Sequence, residues 1–291
     1  MSERSKQNYN NYYETINYIR LCRFGYVYKG RDKETKELRA IKIIDKEKIR
    51  KKLSSQYEIK EIENQLKIYI EGFIQEFENM KICSRNNDNS VKCYEYFNNK
   101  DNFVIIMELC DENLLRILKK RIENDKRGFS SEEISEIMKE LNNTFKIMKE
   151  NNIIHRNLKL ENILIKYDDI EHKNYKIKLS DYICNKRLIS LSRNFNKVAD
   201  TDEYIAPEIL NGGEYNYKCD LWSIGIIIYR LIFCNKTYKG KTENELLKNN
   251  LGNKILKEAE NKDLIDLIKK LLEKDPLRRI NWDEYFNHCF F

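Results

Sequence analysis

The hydrophobic pattern of this 291-residue chain changes its period once, near residue 107. Before that point short apolar runs of strand type dominate, such as Leu38-Arg39-Ala40-Ile41-Lys42-Ile43-Ile44 and Phe103-Val104-Ile105-Ile106-Met107. Between them Ile70, Phe73, Ile74, Phe77 and Met80 recur at helical spacing, which predicts a helix over 68–83. The charged segment 46–65 reads as a helical insertion with its own mobility. After Glu108 helical patterns take over. Ser130 and Glu133 have the spacing of a capping box and open a helix with Ile134, Ile137, Met138, Leu141, Phe145 and Met148 on one face. Ile163-Leu164-Ile165 and Ile177-Lys178-Leu179 predict a small β-ribbon. The segment 220–233 is apolar nearly all round, as a buried helix is, and 263–274 is amphipathic. A β-rich part followed by a helix-rich part is an α+β architecture of two lobes. The polar start, 1–12, is expected to be a flexible leader, which leaves a small lobe over 13–107 and a large one over 108–291.

Composition removes several function classes. The apolar fraction of 41%, with 19 Tyr and 12 Phe, argues for a packed core despite 35% charged residues. The net charge of +7 comes from 54 basic and 47 acidic residues that interleave almost everywhere. Nucleic-acid binding needs a clustered basic face or a recognisable module, and the sequence has neither. The longest strongly apolar run, 224–234, is too short for a bilayer and is interrupted by Arg230. The eight cysteines follow no zinc or redox spacing and sit mostly in apolar stretches, as in a reducing compartment. The polar start is not a signal peptide. The expectation is a cytoplasmic protein, the nucleus being the alternative, with neither nucleic acid nor membrane as partner.

The chemistry is concentrated in His155-Arg156-Asn157-Leu158-Lys159-Leu160-Glu161-Asn162. This stretch resembles the catalytic loop of eukaryotic protein kinases, H-R-D-L-x-x-x-N, with Asn157 where that family has its catalytic aspartate. Ala40-Ile41-Lys42 resembles the V-A-I-K strand motif, and Ser180-Asp181-Tyr182-Ile183 stands where D-F-G belongs. Thr201-x-x-Tyr204-Ile205-Ala206-Pro207-Glu208 is similar to the end of an activation segment. Asp220-x-Trp222-Ser223-x-Gly225 and Arg279 match later landmarks. The motifs occur in family order, and the resemblance covers 13–291.

The resemblance implies a bilobal kinase fold and assigns roles residue by residue. Lys42 would pair the nucleotide phosphates with a helix glutamate. Glu76 is the candidate because it shares a helix face with Met80, and Glu78 and Glu71 are alternatives. Asn162 and Asp181 would hold Mg²⁺ through hard oxygen donors. Ile19, Val27, Ala40 and Leu164 would sandwich the adenine of ATP, with Met107 behind it and the Glu108–Cys110 backbone hydrogen-bonding its edge. Of the three glycines in the family's phosphate loop only Gly25 remains, and Arg20 and Cys22 occupy the other two positions. Arg20 is read as solvent-facing, with a phosphate contact as the alternative. Tyr182 keeps the aromatic of the switch, while Ile183 removes its permissive glycine. Lys159 and Thr201 resemble the Ser/Thr subgroup. Arg279 would pair with Glu208, and Arg156 would receive a phosphate on Ser190 or Ser192.

Asn157 is nearly the size of aspartate but cannot take a proton at neutral pH. The family's aspartate accepts and orients the substrate hydroxyl, and general-base help is worth roughly 10²–10⁴ in rate. The expected protein is therefore an ATP-binding pseudokinase with absent or very weak phosphoryl transfer, acting as scaffold or allosteric regulator on an unnamed protein partner. The alternatives are an active Ser/Thr kinase and a nucleotide-free interaction module. The segment 46–70 is the surface where a partner is expected.

Overall fold

Strand-forming runs from the first third of the chain assemble into one antiparallel sheet. Its strands are β1 (Tyr13–Cys22), β2 (Gly25–Asp32), β3 (Leu38–Asp45), β4 (Cys93–Asn98) and β5 (Asn102–Glu108), in the order β1-β2-β3-β5-β4. The computed structural model describes residues 7–22, 24–169, 171, 174–182, 202–234 and 261–291. These fall into two units. The first holds 7–111 with the described parts of 166–175 and 180–182. The second holds 112–165, 176–179 and the remaining described residues to 291. The β-rich first unit and the mainly helical second unit are the α+β organisation expected. The chain leaves the first unit after 111 rather than 107. The returns are tied down locally: Lys166 Nζ donates to the Leu109 carbonyl at 2.9 Å, and the Tyr167 amide to Asp111 Oδ2 at 2.9 Å.

Phe103 to Met107 on β5 are all buried, which explains an unbroken apolar run instead of an alternating one. Helices α1 (Lys46–Leu53) and α2 (Ile59–Cys83) complete the unit. Asp45 caps α1 by accepting from the Glu47 and Lys48 amides. The expectation of a mobile insertion over 46–65 is corrected here. Ile49, Leu53, Ile62 and Leu66 are buried, and Arg50 Nε meets Glu63 Oε1 at 2.7 Å. The charge had masked an amphipathic pair of helices. Tyr9 and Tyr12, assigned above to the flexible leader, are packed as well. Tyr9 and Tyr12 lie against Phe97, with ring centroids at 6.5 and 5.9 Å. Burying such rings outweighs the polar character of the asparagines around them. Residues 1–6 lie outside the described residues.

The second unit carries β6 (Glu112–Asn113), α3 (Leu114–Asp125), α4 (Ser131–Glu150), β7 (Ile163–Tyr167) and β8 (Tyr175–Leu179), the strands ordered β6-β7-β8. Then follow α5 (Pro207–Leu210), α6 (Lys218–Phe233), α7 (Lys262–Leu271) and α8 (Trp282–Phe286). The capping box at Ser130 and Glu133 forms in both directions. Helix α6 is buried from Cys219 to Leu231. Gly225 permits its approach to α7, since a Cβ there would come within 2.7 Å of Leu272 Cδ2. Arg279, fully buried, forks onto Glu208 through two bonds of 2.7 and 2.9 Å, as the resemblance implied. Among the described residues no helix is long and apolar enough to cross a membrane.

Candidate active site

The first unit builds its polar centre around one carboxylate. Lys42 leaves the middle of β3, whose register sets it opposite Val27 on β2 and Ile105 on β5. Glu76 projects from α2 and is buried, as are Phe73, Phe77 and Met80. The Lys42 ammonium meets Glu76 Oε1 at 2.5 Å and Asp181 Oδ1 at 2.9 Å. Glu76, not Glu71 or Glu78, is thus the partner. Burial works against a charged lysine, but Asp181 and then Glu76 reverse that and hold the ammonium above its usual range. Burial likewise works against ionisation of Asp181. Lys42 and then Arg20 overcome it and hold the carboxyl well below the usual carboxylate range.

Arg20 is not simply solvent-facing: its guanidinium donates to Asp181 Oδ2 while part of the side chain stays exposed. It sits on β1 at the position of the first missing loop glycine. Cys22, at the second, is raised by burial, and the charges of Lys42, Asp181 and Arg20 all reach it. Residues 20 and 22 alternate onto one strand face, which was the available signal. Gly25 lies in β2, where a Cβ would meet the Ile43 carbonyl oxygen at 1.8 Å. Close strand packing alone therefore demands glycine there.

Asp181 adopts φ 62°, a left-handed conformation that costs on the order of 1–3 kcal/mol and is held by its ion pairs. Next to it Tyr182 is fully buried, its hydroxyl 3.2 Å from Ser90 Oγ. Phenylalanine could not make that bond, so the tyrosine adds a polar anchor to the switch aromatic. No motif in the sequence pointed to Ser90. Val27, Ala40 and Met107 are buried in the sheet, while Ile19 is 44% exposed. The Glu108 amide already donates to the Lys92 carbonyl at 2.8 Å, so Glu108 could serve a base only through its own carbonyl. Cys110 follows it, partly buried.

In the second unit the catalytic-loop sequence is held open by Asp220. Its two oxygens accept the His155 and Arg156 amides, each at 2.8 Å, and Arg156 sits at φ 62°. The Asn157 amide donates to His155 Nδ1 at 3.2 Å, and the Asn157 carbonyl accepts from Asn162 Nδ2 at 2.8 Å. Lys159 stands in extended conformation immediately before the short helical turn Leu160–Asn162, and Leu164 lies half-buried on β7. The Arg156 guanidinium lies 5.7 Å from the Tyr215 ring. Ile183, Ser190, Ser192 and Thr201 lie outside the described residues.

Asp220 yields a pH prediction. Burial pushes its carboxyl up to about 6 from an ordinary 3.8, although the Arg156 and His155 amides favour the charged form. Between those values the folded chain holds the proton more tightly than the unfolded one. This group's contribution to stability is therefore greatest at low pH and is lost as pH rises, by about 3 kcal/mol in all. Asp220→Asn removes that limb, so the stability difference between wild type and variant should fall by about 2 kcal/mol from pH 4 to 6.5. Urea midpoints at both pH values measure it, and parallel profiles would contradict it.

The protein kinase domain family matches over residues 13–291, and the chain belongs to it. The chain is 32% identical over 272 residues to the serine/threonine-protein kinase atg1 of Dictyostelium discoideum, covering 91% of this chain and 37% of that protein. It is 30% identical over 280 residues to calcium-dependent protein kinase 3 of Plasmodium berghei, covering 92% of this chain and 44% of that protein. It thus spans less than half the length of these relatives.

The family generally uses ATP with Mg²⁺. Among the described residues no group of three or more His, Cys, Asp or Glu could hold an ion, so in the first unit a metal would depend on Asp181 and phosphate oxygens. Each oxygen of Asp181 already faces a cation. A further ion about 5 Å from the guanidinium would be repelled by about 3 kcal/mol per unit of its charge at an effective dielectric of 20. With Arg20 in place these residues do not fit a metal at Asp181.

Proposed function

We propose that the chain is a nucleotide-binding pseudokinase that works in signalling as a scaffold or allosteric regulator of a protein partner, in the cytoplasm or nucleus. The observation that carries this reading is the split between its two motifs. Lys42, Glu76 and Asp181 form the ion-paired centre that a nucleotide-binding kinase lobe uses, while the base position holds Asn157. An amide oxygen there can accept a hydrogen bond and orient a hydroxyl, but cannot remove its proton. ATP would lie on the sheet side of Lys42, with Val27, Ala40 and Met107 as apolar walls.

A second reading, an active Ser/Thr kinase, is favoured by the assembled Lys42–Glu76 pair and by the names of the relatives. Two measurements on one preparation separate the readings. ATP at 100 times its dissociation constant should stabilise the protein by about 2.7 kcal/mol, a rise in melting temperature of roughly 5–10 °C. Transfer of labelled γ-phosphate to a basic Ser/Thr peptide should stay at background. No thermal shift removes the nucleotide, and turnover of about 1–100 per second, the kinase range, removes the pseudokinase.

A further inference from the structure

Arg20 is the one strong departure in the polar centre that Asn157 does not explain. Four charged side chains meet there, Arg20, Lys42, Glu76 and Asp181, and their formal charges cancel. Without Arg20 the group would carry one net negative charge, which suits a divalent ion beside Asp181. With it, Asp181 has a cation on each oxygen: the Lys42 ammonium on Oδ1 and the guanidinium on Oδ2. The Arg20 side chain keeps 30% of its surface exposed while that of Asp181 keeps 9%. The guanidinium therefore shields the carboxylate while still reaching solvent. A guanidinium offers five N–H donors in a planar fork that suits phosphate oxygens as well as carboxylates. It is permanently charged and stands on β1 at the first glycine position of the phosphate loop, so its place does not depend on an ion being captured.

We propose that Arg20 is a resident cation that takes the metal's place at Asp181, so that this chain binds a nucleoside triphosphate without a divalent ion. The proposal rests on the nucleotide-binding reading above. It assigns Arg20 two partners at once, the Asp181 carboxylate and the triphosphate, with Lys42 as the second cation. Metal-free binding also fits a protein without phosphoryl transfer, because the chemical step is where a bridging ion contributes most.

The test is a titration with trinitrophenyl-ATP, displaced by unlabelled ATP, in EDTA and in Mg²⁺, on wild type, Arg20→Gln and Arg20→Lys. Melting curves without nucleotide check that each variant folds. Wild type should bind with dissociation constants within about threefold of one another in the two buffers. Arg20→Gln stays polar but is shorter and uncharged, and should bind at least tenfold more weakly in EDTA than in Mg²⁺. Arg20→Lys returns the charge without the fork that serves two partners, and should bind in EDTA more tightly than Arg20→Gln but more weakly than wild type. Wild-type binding that appears only in Mg²⁺ overturns the inference and leaves the nucleotide reading standing. Absence of binding in both buffers overturns both. Arg20→Gln binding equally in the two buffers, or a gain of binding over a silent wild type, overturns the role given to Arg20, and in the latter case makes it a block.

Discussion

Asn157→Asp alone should leave phosphoryl transfer at background, whereas Asn157→Asp combined with Arg20→Gly should raise it by at least about 10²-fold in Mg²⁺. The two changes address separate obstacles. The first returns a carboxylate to a loop whose backbone is already set, by Asp220 on the His155 and Arg156 amides and by Asn162 on the Asn157 carbonyl. A base in that position is worth roughly 10²–10⁴. It has little to act on while Asp181 is engaged by Arg20. The second change frees Asp181 Oδ2 and restores a glycine where backbone amides can approach phosphate. Labelled-phosphate transfer to a basic peptide, with the four combinations side by side, reads the effect. Full activity in Asn157→Asp alone would show that Arg20 obstructs nothing.

Lys42→Met should destabilise the chain by about 3–5 kcal/mol and abolish the thermal shift given by ATP. Lys42 is almost fully buried and answers two buried carboxylates. Removing one member of such a cluster leaves uncompensated charge in a poor solvent. Arg20 still answers Asp181, so most of the loss falls on Glu76. In the variant Glu76 would gain stability by taking up a proton, so its folded pKa would rise. The variant should therefore lose further stability as pH rises through neutrality. Lys42→Met with Glu76→Gln removes both charges and should recover part of the loss. Equilibrium unfolding in urea at pH 6 and 8 gives all three quantities, and a Lys42→Met variant within about 0.5 kcal/mol of wild type would refute the argument.

The fold was legible wherever burial follows a local period. Phe73, Phe77 and Met80 predicted the helix that carries Glu76, and the apolar run 220–233 predicted the buried helix α6. Illegibility had two physical sources. Charge on the outer faces of α1 and α2 hid the apolar faces that Ile49, Leu53, Ile62 and Leu66 bury. Tyr9 and Tyr12 lie among polar neighbours, and the residues that give them something to pack on, Ile41, Phe97, Val104 and Ile106, are far along the chain. The site divided along the same line. Lys42, Asn157, Asn162 and Asp181 stand in spaced motifs and could be found by reading. Ser90, which anchors Tyr182, belongs to none.

By itself the sequence determined the kinase-domain fold and the asparagine at the base position of its catalytic-loop motif, because periodicity and motif spacing are local properties of the chain. It left Arg20 as a solvent-facing arginine, with a phosphate contact as the alternative. Only the tertiary structure decided that this residue answers Asp181, 161 positions away. An ion pair depends on which strand face meets which carboxylate, and that is set when β1 pairs with β2 and residues 180–182 return to the first unit. The same approach puts the Lys42 ammonium on the other oxygen of Asp181, so the charge balance of the centre is a property of the folded chain.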